Sequence, residues 1–291
     1  RHASPASFFL QRTTIPVMNL RHLLYSGCLM AACASGVAGQ AAAKPRASAV
    51  TLVIFENRDY SAIVGAKEAP FLNQVLVPQA AVMTNSHATA HPSQPNYIEL
   101  FSGSAQGVTN DECTTQWSVP NIGAQLLAAH RTFVGYAESM PSDGFTGCEG
   151  SGGKYRRKHN PWVDFSNVPA SSNRTYHWKA ASLAIIVPNM CNDMHDCGTS
   201  VGDAWMKANL PAIIKWNAAH DGLLIVTWDE AAPDAEGTNH IATLLIGPMI
   251  KPGRYDQHID HDDVLRTIEQ IHGLPCIANA CGKDGITGVW R

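Results

Sequence analysis

The feature that most constrains this chain is a set of short apolar runs without a single charge, at residues 49–55, 183–187, 223–227 and 243–246. They are rich in Val, Ile and Leu and do not alternate between apolar and polar residues. A strand with one face in water must alternate, so runs like these belong to strands buried on both faces. Between them lie segments with helical spacing. Residues 121–130 read as a helix followed by a strand at 132–137. Residues 202–220 read as a helix broken or kinked at Pro211. Residues 262–272 read as a helix whose apolar face is Val264, Leu265, Ile268 and Ile271, ended by Gly273. Strands alternating with helices predict an α/β fold, with a mostly parallel central sheet covered by helices on both faces.

In such sheets ligands bind beyond the carboxyl ends of the strands. Three strand ends here deliver hard oxygen or imidazole ligands. Glu56 and Asn57 follow the first run; Asn192, Asp193, His195 and Asp196 come soon after the second; Asp229 and Glu230 follow the third. Carboxylates and an amide oxygen suit a divalent cation, and imidazoles widen the choice from calcium, magnesium or manganese to zinc or iron.

A serine stands in the right kind of place to work with such a cation. Ser93 in His91-Pro-Ser-Gln-Pro-Asn-Tyr97 precedes an amphipathic run in which Tyr97, Leu100 and Phe101 fall at helical spacing. It is predicted at or next to a helix N-cap, where free backbone N–H groups and the helix dipole favour an anion. The simpler role is helix capping alone. Asn96, three residues on, would sit over the same turn within reach of a phosphoryl oxygen. Asp193, His195 and His240 are candidates for a second metal position or a general acid, and His91, His159 and Asn160 for contacts to a substrate.

Of the 291 residues, 45% are hydrophobic and only 15% charged, enough for one substantial core and a poor match to a nucleic-acid binder. From Met18 the chain reads as a secretory leader, with Arg21 and His22 ahead of an apolar stretch at 23–37 and small residues at 38–43. That apolar stretch is short for a membrane span. Lipidation at Cys28 or Cys33 is a weaker alternative, because neither context is a strong lipobox. The expected division is an extension with leader at 1–43 and a single catalytic domain at 44–291. Residues 1–43 hold three arginines and no acid, so the formal charge of −3 becomes −6 without them. Six cysteines remain beyond residue 43, an even number that suits disulfides in an exported protein. Proximity favours Cys191–Cys197 and Cys276–Cys281, leaving Cys113–Cys148. Residues 141–174 show little periodicity and carry the basic run Lys154-Tyr-Arg-Arg-Lys158, either a solvated face or a phosphate contact.

Several stretches taken together resemble the bacterial phosphoesterase family of secreted acid phosphatases and phospholipases C, within the alkaline-phosphatase-like superfamily. They are Ile54-Phe-Glu-Asn57, His91-Pro-Ser-Gln-Pro-Asn-Tyr97 with Ser102-Gly103, Arg157-Lys-His-Asn-Pro161, Pro188-Asn-Met-Cys-Asn-Asp-Met-His-Asp196, Thr227-Trp-Asp-Glu230, and Asn239-His240 before Leu245-Ile-Gly-Pro248. The resemblance spans residues 50–280. It implies a three-layer α/β/α sandwich and metal-dependent hydrolysis of a small phosphate ester. In this reading Glu56, Asn57, Asp229 and Glu230 bind metal, and Ser93 is the nucleophile that also touches it. Phospholipase relatives continue the acid pair as His-Gly-Gly, whereas here Ala231-Ala-Pro-Asp-Ala-Glu-Gly follows. The expectation is therefore an exported phosphomonoesterase forming a phosphoserine. Alternatives are a phosphodiesterase or phospholipase C, a secreted binding protein that keeps the fold without turnover, and a Ser-His-Asp esterase built on Ser93, His240 and Asp229. The last lacks the Gly-x-Ser-x-Gly elbow.

Overall fold

The computed structural model describes residues 44–113, 116–232 and 237–291. The expected leader, Cys28 and Cys33 lie outside the described residues. In chain order the strands are β1 (Val50–Phe55), β2 (Ala81–His87), β3 (Phe133–Ala137), β4 (Asn173–Thr175), β5 (Leu183–Val187), β6 (Leu223–Trp228), β7 (His240–Ile246) and β8 (Gly253–Tyr255). The α-helices are α1 (Ser93–Ser102), α2 (Ile122–Ala128), α3 (Thr199–His220) and α4 (His261–His272).

All eight strands form one sheet in the order β4-β3-β5-β1-β6-β7-β2-β8. Pairing is parallel except where β7 meets β6 and β2. The charge-free runs occupy the middle of this sheet. β1 shows why they avoid alternation: Val50, Leu52 and Ile54 pack in the core on one face, and Val53 and Phe55 in the core on the other. The first face is covered by α1, α2 and α4 through Tyr97, Phe101, Leu126, Val264 and Leu265. The second is covered by α3 through Trp205, Met206, Leu210 and Ile213. The result is the expected three-layer α/β/α sandwich.

Two local expectations change. α3 starts at Thr199, and it runs through Pro211 without a break. Pro211 is exposed while the apolar stripe on either side of it is buried, so packing against the sheet holds the helix together across the missing N–H. α4 carries a full capping box, with Asp260 accepting from Asp263 N while the Asp263 carboxylate accepts from Asp260 N, and Gly273 closes it at φ 65°. All three expected disulfides are present: Cys113–Cys148, Cys191–Cys197 and Cys276–Cys281. No described helix is long and apolar enough to cross a membrane.

Strand order positions the site. β1 lies between β5 and β6, both parallel to it, so the three acid-bearing ends emerge side by side. The ladder continues past the strands: Glu56 N donates to Asp193 O at 2.8 Å, and Asp229 N donates to Phe55 O at 2.9 Å.

Candidate active site

Ser93 is the first residue of α1, with Pro92 as the cap residue, and its side chain makes no capping bond. Its hydroxyl instead points at two carboxylates, lying 3.0 Å from Glu56 Oε2 and 3.1 Å from Glu230 Oε1. One hydroxyl proton can serve only one of them at a time. Glu230 is held on its other side by His91 Nδ1, whose ring is half exposed. A short chain of polar groups thus runs from buried Ser93 through Glu230 to His91 at the surface.

Beneath the serine the acids crowd together. Glu56, Asp193, Asp229 and Glu230 are all buried. Burial, followed for Asp193 and Asp229 by the charge of Glu56, pushes both of these aspartates well above the usual carboxylate range. Burial raises Glu56 to about 7. Asn57 adopts a left-handed backbone at φ 50°, and its N–H donates to Asp229 Oδ1 at 3.2 Å. This turn carries the chain sharply off the end of β1.

His159 reaches into the same group from the 141–174 segment. Its Nε2 lies 3.0 Å from Glu56 Oε1 and its Nδ1 3.6 Å from Asp193 Oδ2, and its ring stacks on Tyr97. Burial, then the Lys158 charge, holds this imidazole well below its ordinary pKa, in the neutral form that can bind a metal. Glu56, His159 and His195 offer ligand atoms that all lie within 4.8 Å of one another. His195 Nδ1 pairs with Asp196 at 2.8 Å, and its Nε2 faces the Lys158 ammonium at 3.4 Å.

This donor set fits a divalent cation. Asn57 Oδ1, Asp193 Oδ2 and Asp229 Oδ2 are buried with no hydrogen-bond partner, and Glu56 Oε1 and His159 Nε2 face each other at 3.0 Å without the alignment of a hydrogen bond. Buried polar atoms normally find partners, and orphans gathered at one sheet edge are what a cation would satisfy. Glu56, Asn57 and Asp229 could hold it, with Asp193, His159 and His195 beside them. His159, expected at the substrate, thus sits among these candidate ligands.

Other sequence candidates lie elsewhere. Asn96 Oδ1 accepts from Ala90 N at 2.9 Å and from Thr89 N and Oγ1 at 3.2 Å each, while Nδ2 donates to Ala90 O at 2.9 Å. The amide holds the turn that presents His91 and Ser93. His240 Nε2 donates to Thr84 O at 3.0 Å, and its ring stacks between Tyr60 and His87. Nothing in these contacts brings it to Ser93, because it opens β7, on the far side of β6 from β1. Asn160 is buried and donates to the Tyr155 hydroxyl at 3.2 Å. Three members of the basic run are paired: Arg156 with Glu149, Arg157 with buried Asp164, and Lys158 with Asp111.

Two contributors escaped the sequence reading. Tyr97 is buried beside His159, and burial, then the Glu56 charge, raises its phenol well above the ordinary value. His261 at the start of α4 donates from Nε2 to Asp229 O at 2.6 Å, fixing the backbone of that acid. Tyr97 had read only as an apolar helix position, and nothing local distinguishes His261.

Known proteins resemble this arrangement in sequence and in fold. The profile of the phosphoesterase family matches residues 65–275. The chain is 41% identical over 259 residues to a protein named phosphatidylinositol-3-phosphatase from Mycobacterium tuberculosis, covering 86% of this chain and 85% of that one. It is 29% identical over 257 residues to an acid phosphatase of Aspergillus fumigatus, covering 80% of this chain but only 56% of that protein. Among solved structures, an alkaline phosphatase superfamily protein from Vibrio parahaemolyticus superposes with a TM-score of 0.58 at 12% identity, covering 83% of this chain and 70% of that one. The lipoteichoic acid synthase of Listeria monocytogenes does so at 0.53 and 12% identity, covering 79% and 73%. The chain therefore belongs to the phosphoesterase family, has the fold of the alkaline phosphatase superfamily, and is a hydrolase acting on phosphate esters.

Proposed function

We propose that this chain is an exported, metal-dependent phosphomonoesterase, with residues 44–291 as its single catalytic domain and Ser93 as its nucleophile. The observation that carries the reading is the Ser93 hydroxyl held between Glu56 and Glu230 at the start of α1, beside the unpartnered buried oxygens of Asn57, Asp193 and Asp229. Ser93 Oγ forms the new bond to phosphorus as the ester oxygen leaves. In this reading Glu230 accepts the hydroxyl proton, and half-exposed His91, which bonds Glu230, supplies the proton for the departing oxygen. Water then attacks the phosphoserine, releasing inorganic phosphate and restoring the hydroxyl. When bound, a divalent cation would lower the pKa of the serine hydroxyl and neutralise phosphoryl charge.

Monoester rather than diester cleavage is supported by the names of the relatives, which are phosphatases. The name of the mycobacterial relative makes a 3-phosphorylated inositol lipid the first natural substrate to test. Disulfides support export.

The test is turnover of p-nitrophenyl phosphate, bis(p-nitrophenyl) phosphate and phosphatidylinositol 3-phosphate by purified protein, before and after chelation, with Ser93→Ala as control. Chelator-sensitive hydrolysis of the monoesters that Ser93→Ala abolishes is expected. Undiminished turnover in Ser93→Ala removes the nucleophile assignment, and preference for the diester favours the phosphodiesterase reading.

A further inference from the structure

Beside the acid cluster a cavity of about 370 Å³ opens, lined by Asp111, Arg156, Lys158, Met190, His195 and Asp196, with Cys113 and Cys148 at its wall. It is of the size that takes a small ligand. Its floor is shared with the catalytic site through His195, which lies close to Glu56 and His159. Asp111 is the unusual member. One carboxylate oxygen accepts from Gln94 N at 3.0 Å, the backbone amide next to Ser93. The other accepts from Lys158 Nζ at 2.7 Å, and the same ammonium lies 3.4 Å from His195 Nε2. An acid thus bridges a first-turn amide of α1 to the cation at the cavity wall. These are the two kinds of donor a phosphoryl oxygen beside Ser93 would need. The buried side chain of Gln94 also has both polar atoms unpartnered in the first turn of α1.

We propose that the Asp111 carboxylate is a built-in stand-in for the substrate's phosphoryl group. The phosphate displaces it from Gln94 N and Lys158, and Lys158 then becomes the cation that binds the phosphoryl oxygens. The proposal rests on the phosphomonoesterase reading of Ser93. Lys158 is not a free cation waiting for phosphate: its ammonium is neutralised until substrate arrives, so phosphate affinity is the difference between two anions competing for one pair of donors. The partly exposed Asp111 side chain can swing away to solvent, whereas Lys158 is largely covered. Arg156, at the same wall, is placed to meet further negative charge on the remainder of the ester.

The experiment measures inorganic phosphate binding by calorimetry, and its competitive inhibition of p-nitrophenyl phosphate hydrolysis, on the full metal-loaded protein. Asp111→Asn removes the competing charge but keeps the shape. It should tighten phosphate about threefold or more, whereas Lys158→Gln should weaken it about tenfold and raise KM more than it lowers kcat. Lys158→Arg should recover part of that loss. The opposite signs at two residues in one ion pair separate this role from a structural one, in which breaking the pair from either side weakens binding. Weaker or unchanged phosphate binding in Asp111→Asn overturns the proposal, as does unchanged binding in Lys158→Gln or inhibition that is not competitive. Asp111→Ala supplies the same charge deletion if the asparagine variant does not fold. If the wild-type protein binds phosphate but hydrolyses no monoester, the phosphomonoesterase reading fails, and the calorimetric comparison still decides the displacement.

Discussion

The hydroxyl of Ser93 lies 3.0 Å from Glu56 Oε2 although the two residues are 37 positions apart. Glu56 is the first residue after β1 and Ser93 the first residue of α1, so a strand end and a helix start meet at one edge of the sheet. With Glu230 on its other side, the serine is flanked by two carboxylates. Left alone, that environment opposes an alkoxide, because a third negative charge would be buried beside two others. In the proposed reaction a cation would have to balance these acids before Ser93 could act as a nucleophile, which ties that role to the orphaned oxygens around it.

Glu230→Gln tests the proton path from Ser93 to His91. The amide keeps the size of the side chain but cannot take the hydroxyl proton. We expect kcat to fall about 10²- to 10⁴-fold, the usual weight of general base catalysis. Melting temperature should hold or rise, since a buried like charge is removed from the acid cluster. A kcat within threefold of wild type would rule out Glu230 as the base.

Chelation should destabilise as well as inactivate. A cation that binds only the folded chain stabilises it by about 2.7 kcal/mol at a hundredfold excess over Kd. Removing it should lower the melting temperature by several degrees, and restoring it should recover both stability and turnover. Asp229→Asn should lose most of that metal-dependent increment in a thermal scan. An identical increment in the variant would exclude Asp229 as a ligand.

Asn96 is expected to matter through the turn it holds. Asn96→Ala leaves the Ala90 and Thr89 N–H groups without their acceptor, at about 1–3 kcal/mol. Urea unfolding should show this loss. The released turn should also lower kcat, because it carries His91 and Ser93. Full stability with lost turnover would point instead to direct contact between the amide and substrate.

The pH dependence of stability has a component assignable to His272. Burial, then the nearby Arg131 charge, lowers its pKa to about 4 from an ordinary 6.5. The folded state therefore favours the neutral ring. As pH falls from 6.5 to 4 the unfolded chain takes up a proton that the folded chain refuses, so stability declines through that window and levels off below it. The full effect is on the order of 3 kcal/mol. Asp262, raised by burial to about 8, acts in the opposite sense between its unfolded value of 3.8 and 8, so the comparison must be with a variant. His272→Asn should show a shallower acid decline in melting temperature than wild type, and parallel curves would refute the assignment.

Much of the fold was legible because parallel strands buried on both faces must be largely apolar, and β1, β5 and β6 are buried at every residue with Thr51 and Thr227 their only polar side chains. Two of the acids after them were legible for the converse reason: Glu56 and Asp229 come immediately after apolar strands where charge is otherwise unwelcome. β2 was not, because Thr84, Asn85, Ser86 and His87 make four of its seven residues polar. Its Ser86 hydroxyl meets Thr243 on β7 at 2.8 Å, a pairing across 157 residues that no local pattern announces.

The sequence by itself determined the chemistry available: which strands are buried, which of their ends carry acids, and that a serine opens a helix. Periodicity and charge exclusion are local, so they are written in consecutive residues. Only the tertiary structure decided which of these groups meet. Placing β1 between β5 and β6 gathers Glu56, Asp193 and Asp229, and leaves His240 beyond β6 beside Tyr60 and His87. It also turns Asn96 onto its own turn, brings His159 to Glu56, and sets Asp111 against Lys158. Strand order and side-chain direction come from packing the whole core at once, and spacing along the chain does not encode them.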